Sequence, residues 1–189
     1  MSAKGKIKLA VAVVLLAGAI VCIVSVAGVS IYKLFYPIKY TDFVEKYGDE
    51  HNLDKELIYA VIKTESSFNS DAVSSVGAVG LMQITPETFD WLKIKMGENY
   101  SDLDLKDAET SIKYGVFFLS LLIDEFGDKK TALAAYHAGR GRVNEWLDDA
   151  SISPDGKTLE NIPYKDTEYY VNKVTKAENI YRNLYDSEQ

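Results

Sequence analysis

The chain has 189 residues, of which 47% are hydrophobic and 12% aromatic, and its formal net charge is -7 at pH 7. The hydrophobic content is far from the low-hydropathy, high-charge signature of disorder, and the length predicts one folded domain rather than two. The acidic balance argues against a nucleic-acid partner, because phosphate binding requires clustered Lys and Arg. The one cysteine, Cys22, excludes a disulfide framework and a Cys-based metal site in the folded domain.

An uncharged apolar run from Leu9 to Ile31 dominates the N-terminus. As a helix with a rise of ~1.5 Å per residue it would be about 35 Å long, enough to cross a hydrocarbon core of ~30 Å. Lysines precede the run and tyrosines follow it, as is typical where a helix meets lipid headgroups. We therefore expect a transmembrane anchor over 9–32, between a short cytoplasmic tail over 1–8 and a linker over 33–39.

The sequence leaves two alternatives to this anchor open. The run could be a cleaved signal peptide with a small-residue site at Ser25-Val26-Ala27, although it is longer than a usual signal-peptide core. Cys22 could carry a lipid, but the bulky Val21 before it disfavours that modification. A structural cysteine in the helix is the simpler interpretation.

After Pro37 the apolar residues recur at helical spacing, and no sustained alternation indicates a strand. We predict an all-α domain over 40–185 and a short tail over 186–189. Capping signals such as Asn52, Thr85-Pro86, Gly97 and Gly127 delimit its helices. The predicted helices cover 41–51, a segment that begins after Asp54, 86–96, 107–126, 130–138, 142–148 and 167–185. The polar stretch 150–163 is predicted to be a loop.

The helix after Asp54 ends in a carboxylate at an unusual position. Its apolar residues form one stripe, and Glu65 follows one turn beyond Val61 at the edge of that buried face. The next segment, up to Thr85, is rich in small residues. Gly77 and Gly80 permit close backbone approach there, and the Gln83 amide can both donate and accept hydrogen bonds.

Three motifs in this order are specific in combination. The first comprises Glu65-Ser66-Ser67-Phe68, then Ala72 to Gln83 in the pattern A-x-S-x-x-G-A-x-G-L-M-Q, and then Pro86. The second is Ala134-Ala135-Tyr136-His137-Ala138-Gly139, and the third runs from Ile162-Pro163 to Tyr170-Val171. Over roughly residues 40 to 185, the chain resembles the soluble lytic transglycosylase family, which has a lysozyme-like fold.

The resemblance implies that Glu65 is the single catalytic acid and base of a peptidoglycan-cleaving enzyme. The reaction would break the β-1,4 bond between N-acetylmuramic acid and N-acetylglucosamine without water, leave a 1,6-anhydromuramoyl end, and need no metal or cofactor. Ser74 would orient Glu65. The residues that would line the groove for peptidoglycan glycan strands are Met82, Gln83, Tyr136, His137 and Tyr170.

The chain departs from the family pattern at two positions. His137 replaces the usual Asn and adds a group that can charge near neutral pH, so sugar contacts or pH dependence would differ. Asp166 replaces the usual Glu and is one methylene shorter, which predicts a small effect.

Two other functions remain open. One is a hydrolytic muramidase of the goose-type lysozyme kind, and the other is a non-catalytic glycan-binding scaffold of a cell-envelope complex. If peptidoglycan is the substrate, the domain lies outside the cytoplasmic membrane, which favours a single-pass anchor with its N-terminus inside.

Overall fold

The computed structural model describes residues 3–98 and 103–185. The described chain divides into two compact units. One contains residues up to Pro37 together with the segment that begins at Leu184, and the other contains Ile38–Asn183. The motifs identified in the sequence all lie in the second unit, which is therefore the part of the chain that positions a site.

The first unit consists mainly of helix α1, Ala3–Phe35, which is longer at both ends than the predicted span over 9–32. The side chain of Cys22 is exposed and is not part of a disulfide. Among the described residues, no helix combines the length and apolar character that crossing a membrane would require. The expected transmembrane helix is therefore not supported there.

The second unit is helical, as the sequence predicts. The helices are α2 (Thr41–His51), α3 (Lys55–Glu65), α4 (Pro86–Met96), α5 (Ala108–Phe126), α6 (Lys129–Ala138), α7 (Arg140–Leu147) and α8 (Lys165–Tyr185), of which α8 continues to the end of the described chain. The stretch 150–163 contains no helix, in agreement with the predicted loop. The predicted tail over 186–189 lies outside the described residues.

Local capping explains most of the boundaries. Asn52, Gly97 and Gly127 each adopt the left-handed conformation that ends a helix. The Thr85 hydroxyl accepts a hydrogen bond from the Thr88 amide at the start of α4. The Asp128 carboxylate does the same for the Thr131 amide, so α6 begins one residue earlier than predicted.

Helix α3 lies deeper in the unit than a single apolar stripe indicates. Every residue from Glu56 to Ile62 is buried, and Ile58, Val61 and Ile62 are completely inaccessible. Burying one such side chain contributes roughly 1.5–3 kcal/mol relative to exposure. Helix α5 was expected to be buried almost all round, but Phe117 and Phe118 are only half-buried. Its exposed side leaves room for a groove.

The segment between α3 and α4 is a compact loop. Antiparallel bridges pair Val73 with Val79 and Val79 with Ile84, and the described residues contain no longer strand. Three non-glycine residues in or beside the motif, Ser67, Phe68 and Gln83, have positive φ angles of 52°, 66° and 51°. Such backbone costs energy and persists only where the surroundings enforce it.

Candidate active site

Glu65 is the last residue of α3 and is half-buried. The adjacent Ser66 fixes this end of the helix, because its hydroxyl donates to the Leu81 carbonyl oxygen at 2.9 Å and lies 3.3 Å from the Ile62 carbonyl oxygen. One hydroxyl therefore joins the end of α3 to the glycine-containing loop. The sequence prediction of a carboxylate at the edge of a buried helix is confirmed.

Burial raises the pKa of the Glu65 carboxyl to about 7. A low-dielectric environment disfavours the charged form, and this effect outweighs two that favour it, from the Tyr170 hydroxyl and from the Lys173 ammonium. Near neutral pH the carboxyl group therefore exists in both protonation states. A group with a pKa near the working pH is suited to donate a proton and later accept one.

Two buried tyrosines, Tyr136 and Tyr170, adjoin Glu65. Burial raises the pKa of both phenols well above the usual value, and the negative charge of Glu65 adds to the effect. The Tyr136 hydroxyl donates a hydrogen bond of 2.7 Å to the Met82 carbonyl oxygen. The Tyr170 hydroxyl lies near Glu65 but lacks hydrogen-bond geometry with any described residue. It is therefore a buried donor oriented toward the site.

His137 lies at the rim of the same cluster. Its ring stacks on Tyr170 with centroids 4.5 Å apart and planes inclined by 28°. Its Nδ1 is 3.3 Å from the hydroxyl oxygen of the buried Thr167. Partial burial lowers the pKa of His137, while the nearby Asp166 opposes that change. The two departures from the family pattern, His137 and Asp166, are therefore close enough for the charge of one to affect the pKa of the other.

Gln83 is held tightly by its own loop. Its side-chain amide donates to the carbonyl oxygens of Gly80 at 2.9 Å and Ala72 at 3.1 Å. A Cβ added at Gly80 would lie 1.9 Å from the Leu105 carbonyl oxygen, so the loop backbone packs directly against the segment before α5. This contact explains why glycine is required at position 80. The amide nitrogen of Gln83 is used within the protein, whereas its oxygen remains an acceptor.

Two of the residues predicted to contact or orient groups in the site are placed differently. The Ser74 hydroxyl accepts from the Ala78 amide at 3.0 Å within its own turn, and the structure shows no described hydrogen bond from Ser74 to Glu65. The Met82 side chain is completely inaccessible. It lies against Gly115 of α5, where an added Cβ would come within 2.4 Å of the sulfur. Met82 therefore supports the groove wall from behind.

A groove with a volume of about 520 Å³ adjoins the cluster. Polar and aromatic side chains from α4, α5, α6 and the motif loop line it, among them Gln83, Thr88, Trp91, Phe118, Tyr136 and His137. Aromatic faces beside hydrogen-bonding groups are suited to bind sugar rings. The sequence motifs predict three of these residues, whereas Trp91 and Phe118 become evident only from the packing of α4 against α5.

Lys173 is the charged residue of the site that sequence reasoning missed. It follows Tyr170 by three positions on α8, and its positive charge lowers the pKa of Glu65. Residues three apart on a helix share a face, so this spacing was a usable signal. Among the described residues, no second carboxylate influences the pKa of Glu65. The described residues also contain no group of His, Cys, Asp and Glu suited to a metal ion.

The fold and site define a helical, lysozyme-like domain built around one half-buried glutamate, and comparison with known proteins identifies its family. Residues 42–158 match the family model described as the transglycosylase SLT domain. The chain belongs to this family. The match includes Glu65 and the Tyr136-His137 pair but ends before α8, which contributes Tyr170.

Curated relatives share part of their length with the chain. It is 34% identical over 151 residues to the soluble lytic murein transglycosylase of Escherichia coli (strain K12), covering 78% of this chain and 23% of that protein. It is 28% identical over 173 residues to the membrane-bound lytic murein transglycosylase C of Haemophilus ducreyi, and this match covers 77% of this chain and 46% of that protein. The chain thus spans about a quarter of the length of the first relative and about half of the second.

Solved structures of the family agree with the fold. A lytic transglycosylase Slt from Pseudomonas aeruginosa, solved as an inactive glutamate-to-glutamine mutant, superposes with a TM-score of 0.70 at 30% identity and covers 82% of this chain and 25% of that chain. The complex of a 70-kDa soluble lytic transglycosylase with bulgecin A superposes with a TM-score of 0.73 at 30% identity. The match covers 84% of this chain and 26% of that chain. These matches establish the lysozyme-like fold predicted from the motifs.

Proposed function

We propose that the chain is a lytic transglycosylase that cleaves the β-1,4 bond between N-acetylmuramic acid and N-acetylglucosamine in peptidoglycan. The observation that carries the proposal is the half-buried Glu65 at the end of α3, whose pKa is raised to about 7 beside an aromatic groove. Membership of the SLT family and a neighbour whose inactive mutant has a glutamate replaced by glutamine support it.

The first step is proton transfer from Glu65 to the glycosidic oxygen. Bond cleavage passes through an oxocarbenium-like state at the muramoyl anomeric carbon, and Glu65 is left as a carboxylate. The buried Tyr170 hydroxyl and the Lys173 ammonium both favour that charged form. The site therefore holds the proton before cleavage and stabilises its loss afterwards.

The second step closes a ring without water. The Glu65 carboxylate takes the proton of the muramoyl C6 hydroxyl, whose oxygen attacks its own anomeric carbon to give the 1,6-anhydro product. Hydrolysis by the usual routes requires two carboxylates at a defined separation. One carboxylate is sufficient for the intramolecular route, which also gains from the high effective concentration of the attacking hydroxyl.

In the groove, Gln83, Tyr136, His137 and Tyr170 are the proposed contacts to the glycan, with Met82 supporting the wall. Ser74 remains a proposed partner of Glu65 in the substrate-bound state, where its hydroxyl would have to exchange the Ala78 amide for the carboxylate. The proposed mechanism requires no metal ion or cofactor, because Glu65 performs both proton transfers.

We further propose that α1 anchors the domain to the outer face of the cytoplasmic membrane over 9–32. Large apolar side chains such as Leu15, Val24 and Ile31 are more than half exposed on this helix, and relatives such as the Haemophilus ducreyi protein are named membrane-bound. Peptidoglycan lies outside that membrane, so cleavage would be confined to nearby strands. Protease added to intact spheroplasts should remove the domain, and a protected domain would contradict this topology.

The test of activity compares the full chain with its Glu65→Gln variant on purified peptidoglycan. Released muropeptides are analysed by mass without chemical reduction. We expect anhydro-muropeptides, one water lighter than hydrolysis products, from the wild type and at least about 10²-fold less from the variant. Reducing-end products would instead establish a muramidase of the goose-type lysozyme kind. Wall binding without products from either protein would indicate a scaffold.

A further inference from the structure

A second cleft lies between α2 and the start of α3, and it shares no lining residue with the groove beside Tyr136 and His137. Its volume is about 520 Å³, and its walls include Glu45 and Asp49 from α2, Asn52 from the connection, and Glu56 from α3. Glu65 follows Glu56 by nine positions, which is about 13 Å and roughly two and a half turns along α3, so the two side chains leave opposite sides of the helix. The cleft is therefore distinct from the groove beside Glu65.

Glu56 is the unusual residue of this cleft. It lines the cavity but is only 7% exposed. Within the described chain its carboxylate forms neither an ion pair nor a hydrogen bond. Its carboxylate oxygens are accessible to solvent at the cleft, so they can accept hydrogen bonds from a ligand there.

The charges around Glu56 are mostly of the same sign. Glu45 and Asp49 are exposed, and in the described part of the chain neither forms an ion pair. Asp54 holds the Arg182 guanidinium at 3.1 Å, which shows that a cation is accommodated at the cleft edge. Lys55 is the only cationic side chain among the lining residues. The cleft therefore keeps an excess of negative charge.

The spacing of these carboxylates favours an organic cation over a metal. No three His, Cys, Asp or Glu side chains of the described residues are grouped closely enough to hold a metal ion. An ammonium group has three donors and needs only one close carboxylate, with others nearby to complement its charge. We propose that the cleft binds an ammonium group carried on a flexible chain, with Glu56 as the buried acceptor and Glu45 and Asp49 at the rim.

Two sources could supply such an ammonium group. One is peptidoglycan, whose stem peptides contain diamino acids. The stem-peptide source rests on the proposed function, because it requires the chain to act on peptidoglycan. The other source is a free diamine, which would make the cleft independent of the wall.

The test is a titration of the ¹⁵N-labelled full chain with Nα-acetyl-lysine methylamide. The uncharged Nα-acetyl-norleucine methylamide serves as a shape-matched control. We expect saturable shifts of the Gly48 and Leu53 amide signals with the lysine compound, and an affinity at least about tenfold weaker with the norleucine compound or with Glu56→Gln. Glu160→Gln, an exposed change elsewhere, should bind as the wild type does.

Equal binding of the charged and uncharged compounds, or unchanged binding by Glu56→Gln, would overturn the proposal. If thermal unfolding shows that Glu56→Gln is not folded, the double variant Glu45→Gln/Asp49→Asn replaces it. Both positions are exposed, so this variant should fold, and we again expect a loss of affinity because the two charges at the rim are removed. Cadaverine separates the sources: weaker binding than the lysine compound favours a peptide, and equal binding favours a free diamine. The titration measures ligand binding and does not depend on glycan cleavage. A failure of the proposed binding at this cleft can therefore be distinguished from a failure of the proposed enzymatic activity.

Discussion

The hydroxyl of Tyr136 donates a 2.7 Å hydrogen bond to the carbonyl oxygen of Met82 and so joins α6 to the motif loop. Tyr170, the other buried tyrosine beside Glu65, forms no comparable bond with the residues that the structure describes. The two phenols thus have similar burial but different roles. Tyr136 holds the wall of the site, and Tyr170 presents a donor to it.

Removing each hydroxyl should separate these roles. Tyr136→Phe leaves the buried Met82 carbonyl without its partner and should lower the free energy of unfolding by about 1–3 kcal/mol. Tyr170→Phe removes a hydroxyl that lacks hydrogen-bond geometry with any described residue, and it should change the free energy of unfolding by less than about 0.5 kcal/mol. Urea unfolding of both variants measures the difference. Equal losses would show that Tyr170 has a structural partner.

Glu65→Gln should make stability less dependent on pH. The folded-state pKa of about 7 exceeds the usual 4.5, so between these values the folded protein binds more protons than the unfolded chain. Wild-type stability therefore falls as pH rises through this window. The variant lacks that loss and should be more stable at pH 8 by up to about 3 kcal/mol, with no difference below about pH 4.5.

Urea titrations at several pH values test this prediction, with Glu160→Gln as the exposed control that should follow the wild type. A wild type and a Glu65→Gln variant of equal stability at pH 8 would show that Glu65 has an ordinary pKa.

Lys173→Met should move the alkaline limit of activity to higher pH. The first step of the proposed mechanism requires protonated Glu65, so we expect activity to decline as pH rises through its pKa of about 7. Removing the Lys173 charge takes away one of the influences that lower this pKa. The pH dependence of kcat/KM is the measurement. Lys176→Met, at an exposed position one turn further along α8, should leave the limit unchanged.

Gly77 and Gly80 provide a matched pair for the loop. Both have positive φ, 81° and 83°, but a Cβ at Gly77 would meet nothing within 4 Å, whereas one at Gly80 would meet the Leu105 carbonyl oxygen at 1.9 Å. Gly77→Ala should cost only backbone strain, about 1–2 kcal/mol. Gly80→Ala should cost at least about 2 kcal/mol more. Thermal unfolding should rank them in this order, and equal losses would contradict the close packing.

The positions of the helices could be predicted because their ends are encoded locally. Thr85-Pro86 with Gly97, and Asp107 with Gly127, begin and end α4 and α5 where the sequence indicates. The sequence predicts the starts of α7 and α8 two residues later than the structure has them. No side-chain cap marks the start of α7, and the polar residues around both starts give no apolar periodicity from which to place them. The region 99–102 lies outside the described residues.

The site was only partly predictable. Glu65 can be predicted from its motif and from helical periodicity, because a carboxylate at the edge of a buried helix is rare. Tyr136 can be predicted from the second motif alone. The burial of Met82 depends on the missing Cβ of Gly115, which is distant in sequence. Likewise, the effect of Lys173 on Glu65 arises only when α8 packs beside α3. Such pairings are properties of tertiary packing, and local patterns do not encode them.

The contact between Met82 and Gly115 also has a thermodynamic consequence. Because the groove wall rests on a long helix and is tied by Tyr136, it is already ordered before any ligand arrives. A sugar chain entering the groove would find its contacts in place, and the protein would lose little conformational freedom on binding. The entropy cost of recognition would then fall mainly on the glycan, so stiff, extended strands should bind more tightly than short, flexible fragments.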